Sequence, residues 1–193
     1  SQMTIITIVT VNRPPSADTV MVVNTPAVPG IRVGVPVRFT NSCPLSGLGL
    51  SLNWTGGMHL DSVSFVGGAI AYVDSKTASI NNDLGDVTIT MAVGEQTMVP
   101  RGSMQLLATL WFALPCELEA GEYYFGHGAY PPLTPADVYF YRDCGSGTET
   151  EFPVYNPTGS GYLIVGTASN YVCGYVVDPS DNDQVTTISQ NAV

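Results

Sequence analysis

An all-β sandwich of jelly-roll or immunoglobulin-like type, with an additional strand at its N-terminus, is what this sequence predicts, and three observations predict it. Apolar residues alternate strictly with small or polar ones through Leu48, Leu50, Leu52 and Trp54, the period of a strand packed on a core by one face. Short apolar runs recur along the chain between clusters of Gly, Pro, Asn and Asp that read as turns. No segment sustains a helical period, and 193 residues suit one large sandwich better than two domains.

The first element is Met3 to Val11, a β-branched run without a charge. Ile5 and Val9 would line one face of it, Ile6 and Ile8 the other, so it reads as a strand buried on both sides. Asn12-Arg13 and the stiff Pro14-Pro15 follow, which divides the chain into a strand and Pro-rich linker (1–17) and a single sandwich (18–193). Such a strand either completes its own sandwich or inserts into a neighbouring subunit. In the second case Met3, Ile5, Ile6, Ile8, Val9 and Val11 are the subunit-binding residues, and the product is a homo-oligomer or polymer, such as a filament or surface layer.

Beyond Asp18, strands are expected at Thr19 to Val23 and Ile31 to Thr40, with a turn around Pro26 and Pro29-Gly30 between them. Further strands are expected around Leu48 to Trp54, with Trp54 pointing inward, then at Leu60 to Phe65, Ala69 to Val73, Val87 to Val93 and Leu106 to Leu114. The remainder are expected at Tyr123 to Gly126, Val138 to Tyr141, Glu151 to Tyr155, Gly161 to Gly166, Tyr171 to Val177 and Val185 to Ser189.

Hydrophobic residues make up 45% of the chain and charged ones 11%, against roughly 25% charged in ordinary soluble proteins. The formal net charge is -10, with one lysine, Lys76, and five arginines, which argues against a nucleic-acid partner. No apolar run approaches the roughly 20 residues of a membrane-spanning helix. The opening Ser1-Gln2 fits a processed, secreted chain at the cell surface or beyond it. Cys43, Cys116, Cys144 and Cys173 are widely spaced without a CxxC pair, which favours disulfides and an oxidising compartment. Four cysteines allow three pairings, and the expectation adopted is Cys43 with Cys116 and Cys144 with Cys173.

The two histidines, His59 and His127, belong to no HExxH, GxSxG or Cys-His arrangement, and Glu117 and Glu119 are a carboxylate pair of spacing alone, so no enzyme is expected. Hard cations prefer short oxygen-rich loops, and calcium is the metal to expect if there is one. Asp178, Asp181 and Asp183 in DPSDND form the first candidate site, and Asn81, Asn82, Asp83 and Asp86 in NNDLGD the second. Tyr123, Tyr124, Phe125, Tyr130, Tyr139, Phe140 and Tyr141 offer rings that either fill the core and meet a protein or stack on a polysaccharide. Asn53-Trp54-Thr55 is a glycosylation sequon whose asparagine should face away from the core.

Several segments together resemble the cohesin-type sandwich of bacterial and archaeal extracellular surface proteins. VNTPAVPGIRVGVPVRFTN resembles its opening strand, Pro-Gly turn and Val-Pro-Val strand, SGLGLSLNW its next core strand, and DSVSFVGG a strand that ends in paired glycines. NNDLGDVTITMAV and GSMQLLATLWFAL resemble its later central strands, so that the likeness covers Asp18 to Thr167. It implies a non-catalytic extracellular scaffold or adhesion role and another surface protein as a partner.

Overall fold

The computed structural model describes residues 18–127 and 138–167 in full and the backbone of Tyr171–Val177 and Val185–Asn191. The N-terminal segment 1–17, Tyr130 and the loop that carries Asp178, Asp181 and Asp183 lie outside the described residues.

The chain opens with β1 (Thr19–Val22), β2 (Thr25–Ala27), β3 (Arg32–Asn41), β4 (Leu45–Asn53) and β5 (His59–Ser64). The central hairpin pair β6 (Ser75–Asn81) and β7 (Asp86–Ala92) leads to the longest strand, β8 (Gly102–Ala113). Short elements follow: β9 (Gly121–Tyr124), β10 (Gly126–His127), β11 (Val138–Asp143), β12 (Thr148–Glu151), β13 (Val154–Tyr155) and β14 (Tyr162–Val165). The strands β15 (Tyr171–Val177) and β16 (Val185–Asn191) pair with each other as a hairpin.

Two sheets make the sandwich. One runs in the order β13-β1-β3-β8-β5; the other runs β12-β11-β4-β7-β6, with β10 added to β4, and a third, smaller sheet is β2-β14-β9. The alternation read from the sequence decides which side chains meet between the layers. In β3, Val33, Val35, Val37 and Phe39 point inward, and in β4, Leu48, Leu50 and Leu52 do the same, all buried. Phe39 meets Phe140 across the layers with centroids 6.0 Å apart, and Trp54 meets Phe112 at 5.1 Å. As expected, Trp54 is an inward residue, and its indole N–H donates to the Met58 carbonyl.

Most expected strands form where the sequence placed them, with four differences, the first being that Pro26, expected in a turn, lies in β2, which pairs in parallel with β14. Ala69 to Val73 is a run of tight turns: the N–H groups of Gly68, Ala71 and Val73 donate to the carbonyls of Phe65, Gly68 and Ile70. Ile70 and Val73 are buried, and a spacing of three, suited to turns, delivers both to the core. Ser75–Asn81 is a strand the sequence did not announce, because an edge strand of hydroxyl side chains carries only a faint apolar alternation. Glu151 to Tyr155 is split into β12 and β13, which cross from one sheet to the other at Phe152-Pro153.

The disulfide differs too. Cys43 is bonded to Cys144, so the expected pairing of Cys43 with Cys116 is wrong, and that of Cys144 with Cys173 falls with it. The physical reason is the antiparallel pairing of β11 with β4, which brings Asp143-Cys144 beside the turn that precedes β4 and places the two Cα atoms 5.2 Å apart. Cys116 is also disulfide-bonded. In Cys173 only the backbone of β15 is described.

β13 is held against β1 by polar side chains where the ladder is only two residues long. Asn156, with a positive φ of 44°, accepts from the Val22 N–H and donates to the Phe125 carbonyl. The Tyr155 hydroxyl also donates to the Phe125 carbonyl, and burial pushes its phenol well above its ordinary range. A raised pKa in the folded state favours the neutral phenol, so the stability it contributes is complete below about pH 10 and is lost as the pH rises above that. Denaturant titrations at pH 8 and pH 11 are expected to show stability falling by about 1.4 kcal/mol per pH unit above 10 for this one group, and Tyr155→Phe is expected to flatten that slope. An unaltered slope in the phenylalanine variant would remove Tyr155 from the account.

Candidate functional site

The two broad surfaces of the sandwich differ in chemistry. On the outer face of the six-stranded sheet, strand alternation turns Gly47, Gly49, Ser51 and Asn53 outward from β4 and Tyr139 and Tyr141 outward from β11. Thr88 and Thr90 of β7 and Thr77 and Ser79 of β6 continue the surface, with the Thr77 and Thr90 hydroxyls 2.8 Å apart.

Register places Tyr139 opposite Gly49 and Tyr141 opposite Gly47. A Cβ on Gly49 would stand 2.2 Å from the Tyr139 ring, and one on Gly47 3.0 Å from that of Tyr141. Both rings therefore lie down across β4 in space that only glycine leaves open. The rings are 5.0 Å apart and tilted by 60°. Tyr139 is only 7% exposed, whereas Tyr141 is 36% exposed. The result is a flat surface of two tyrosines, glycines and hydroxyl groups whose charged side chains, Asp86 and Asp143, stand at strand ends.

The outer face of the five-stranded sheet is charged. Trp111 lies over Gly34, with the Arg32 guanidinium 4.8 Å from its ring. Arg32 pairs with Asp61 at 3.0 Å and donates to the Ser62 hydroxyl, and Arg38 donates to the Met104 carbonyl. His59 stands in the same network: its Nδ1 is 3.3 Å from Asp61, and Asn82 donates toward its Nε2 at 3.2 Å. With Asp61 on one ring nitrogen and Asn82 on the other, His59 presents no free lone pair to a substrate. His127 is exposed and packs edge-on against Tyr155.

The structure separates the other residues that the sequence singled out. Glu117 and Glu119 are exposed and line a cavity of about 380 Å³ with Gly56, Gly57, Leu118 and Tyr123. Tyr123 is half-buried, and its hydroxyl donates to the Glu119 carbonyl, while Phe125 is buried and Tyr124 is exposed beside Tyr162 on the small sheet, as their alternation requires. In the NNDLGD turn, Asn82 accepts from the Leu60 N–H and donates to the Leu60 carbonyl, and Asn81 accepts from the Leu84 N–H. These side chains tie the β6–β7 hairpin to β5 and to itself. Among the described residues no group of three or more His, Cys, Asp or Glu is placed to hold a metal ion. Asn53 of the sequon is exposed at the end of β4 and lies over Gly126.

The tyrosine-on-glycine arrangement was missed as a unit in the sequence, although both halves were visible. The alternation GLGLSL and the run VYFYRD each imply an outward small or aromatic row, but only the register shows that one row lies on the other.

No protein-family model and no curated protein matches the chain. Solved structures do. The third cohesin of ScaC from Acetivibrio cellulolyticus, solved in complex with the ScaB dockerin, is 22% identical with a TM-score of 0.61, over 77% of this chain and 98% of that one. The OlpA cohesin from Clostridium thermocellum, solved in complex with the dockerin Doc918, is 11% identical with a TM-score of 0.61, over 78% and 99%. A non-cellulosomal cohesin from the archaeon Archaeoglobus fulgidus is 11% identical with a TM-score of 0.54, over 80% and 94%. The chain thus has the cohesin sandwich as a divergent form, as the resemblance in its sequence implied.

Proposed function

We propose that the chain is a non-catalytic, extracellular protein-binding module that docks another surface protein on the outer face of its six-stranded sheet. The observation that carries this reading is the pair Tyr139 and Tyr141 laid flat on Gly49 and Gly47 within a surface whose charged side chains stand only at strand ends. Interface cores are depleted in charge and enriched in tyrosine, and contact surfaces built from Tyr, Ser, Gly and Asn combine rigid rings with adaptable hydrogen bonding. The Acetivibrio and Clostridium neighbours were each solved with a bound dockerin, which supports a protein as the partner.

The test compares three immobilised chains, the native one, Tyr141→Ala and Thr90→Arg, for retention of proteins from the medium in which the source organism grows. A protein held by the native chain and held at least tenfold more weakly by Thr90→Arg, with the melting midpoint of the variant unchanged, is the expected result. Equal retention by all three would place the docking surface elsewhere and overturn the reading.

Exposed Tyr124 against half-buried Tyr162, with centroids 5.2 Å apart beside exposed Ile164, favours a second reading, polysaccharide binding on the small sheet. Retention on insoluble polysaccharide that disappears in Tyr124→Ala would promote it. Self-assembly into a filament or surface layer through residues 3–11 concerns a different surface, an open sheet edge.

A further inference from the structure

Among the described residues, the four edges of the two main sheets are unequally protected. β13 has two residues, and β12 has four and ends where the chain crosses between the sheets. The edge strand β5 is interrupted by a register shift between Leu60 and Ser62, and the Asn82 carboxamide occupies both the N–H and the carbonyl of Leu60. β6 is different. It pairs with β7 through seven residues in unbroken register, contains no proline, and carries no charge between Thr77 and Asn81. Its single charge, on Lys76, is drawn to the start of the strand, where the amine donates to the carbonyls of Ala71 and Val73. Long, flat, uncharged edges pair with further strands unless something covers them.

The surface beside β6 is also unfinished. Ala78 and Ile80 face the core from β6 but are only partly buried, as are Val63 and Phe65 on the β5 side. A cavity of about 370 Å³ opens there, lined by Val63, Ser64, Phe65, Val66, Ala71 and Lys76, and Val66 is 85% exposed. A strand laid along β6 would set alternate side chains over this seam and the others beside Thr77 and Ser79.

We propose that the β6 edge accepts an extended apolar strand from a second copy of this chain, and that the strand is Met3 to Val11. The occupant fits in three respects. Its nine residues carry no charge and no proline, like the edge. Extended, they reach about 30 Å, enough to cover a seven-residue edge of about 23 Å. Both of their faces are apolar, and an added strand here needs apolar side chains toward the seam. To serve the same copy, the segment would have to pass around the end of the sandwich. Asp18 and Ser75 lie at the same end of the sandwich but in opposite layers, three strand positions apart, a straight-line separation of about 17 Å from strand and sheet spacings. From Val11 to Asp18 the chain has seven residue steps, a reach of at most about 25 Å, and a path around the end of the sandwich is longer than the straight line. Donation to a second copy has no such limit, and because donor and acceptor are different surfaces it propagates head to tail.

Light scattering on the full chain tests this with two variants. Ile8→Asp puts a charge into the donor, and Ala78→Lys puts an inward-pointing charge at the acceptor, where the long side chain can reach water in the free molecule. The native chain is expected to form particles of many copies, and each variant is expected to fall to the mass of one chain. The donor variant changes none of the described residues of the sandwich, so it keeps the test sound if Ala78→Lys fails to fold. Mixing variants that each carry one added cysteine, Thr7→Cys and Thr77→Cys, under oxidising conditions is expected to give a covalent dimer. A native chain that is monomeric at high concentration, particles that persist in Ile8→Asp, or a cross-link that forms only when both cysteines sit in one chain, would each overturn the proposal. Ile8→Asp and Ala78→Lys leave every outward side chain of the six-stranded sheet unchanged, so failure here and failure of the docking-face reading are distinguishable.

Discussion

Arg142→Ala is expected to lower the unfolding free energy by about 3–5 kcal/mol and the melting midpoint by roughly 10 °C, one of the two largest single losses anticipated in this molecule. Arg142 points into the end of the sandwich from β11, with its side chain 10% exposed, and meets three carboxylates. Its Nη1 is 3.0 Å from Asp18, its Nε 3.0 Å from Glu149 and its Nη2 2.8 Å from Glu151. Asp18 is fully buried, and its other oxygen accepts from the Ser42 N–H, so the group cannot turn to water. Removing the guanidinium takes from the buried Asp18 and Glu151 the cation that stands 3.0 and 2.8 Å from them, and the cost of keeping those charges buried without it, more than the lost attraction, sets the size of the effect. Arg142→Lys keeps the charge but cannot meet three partners with one ammonium, and is expected to fall between the native chain and the alanine variant. Pairing Arg142→Met with Asp18→Asn should recover part of the loss, because the second change removes one of the buried charges that the first deprives of its guanidinium. A loss under 1 kcal/mol for Arg142→Ala, measured by denaturant titration, would show that water reaches the cluster.

The Cys43→Ser, Cys144→Ser double variant is expected to cost about 2–5 kcal/mol. The bridge joins residues 101 apart in sequence and so removes much of the freedom of the unfolded chain. In the folded molecule its role is modest, since β4 and β11 already pair beside it. The effect should therefore appear mainly as a change in the denatured ensemble, with the folded spectrum preserved. Arg142 precedes Cys144 by two residues and donates to the Ser42 hydroxyl next to Cys43, so the two losses share a site. Combining Arg142→Ala with the serine pair is expected to depart from additivity by more than 0.5 kcal/mol. Strict additivity would separate the bridge from the charge cluster.

Legibility in the sequence followed local causes. The strands whose inward residues are large and alternate, such as Val33 to Phe39 and Leu48 to Leu52, were readable because one face is fully buried and the period shows. β6 was not, since its outward residues are hydroxyls and its inward ones are Lys76, Ala78 and Ile80, a pattern an edge tolerates and a loop shares. Ala69 to Val73 misled for the opposite reason: its apolar residues serve the core through turns, and composition does not record spacing. The disulfide partner of Cys43 and the ring-on-glycine contacts depend on register between β4 and β11, which are separated by some ninety residues and by no local signal. Asp18, Arg142 and Glu151 are individually unremarkable charges in sequence, and only folding brings them into one buried group.

The two tryptophans of this chain sit in unlike surroundings. Trp54 is sealed between the layers with Phe112 against it, whereas Trp111 lies on the outside of the five-stranded sheet between Gly34 and a guanidinium. The molecule therefore carries a pair of built-in optical gauges. One brightens or dims with the integrity of the interior, the other answers to whatever touches the skin on that side, and an aqueous quencher reaching only the second lets fluorescence tell an encounter at the exterior from a loosening within.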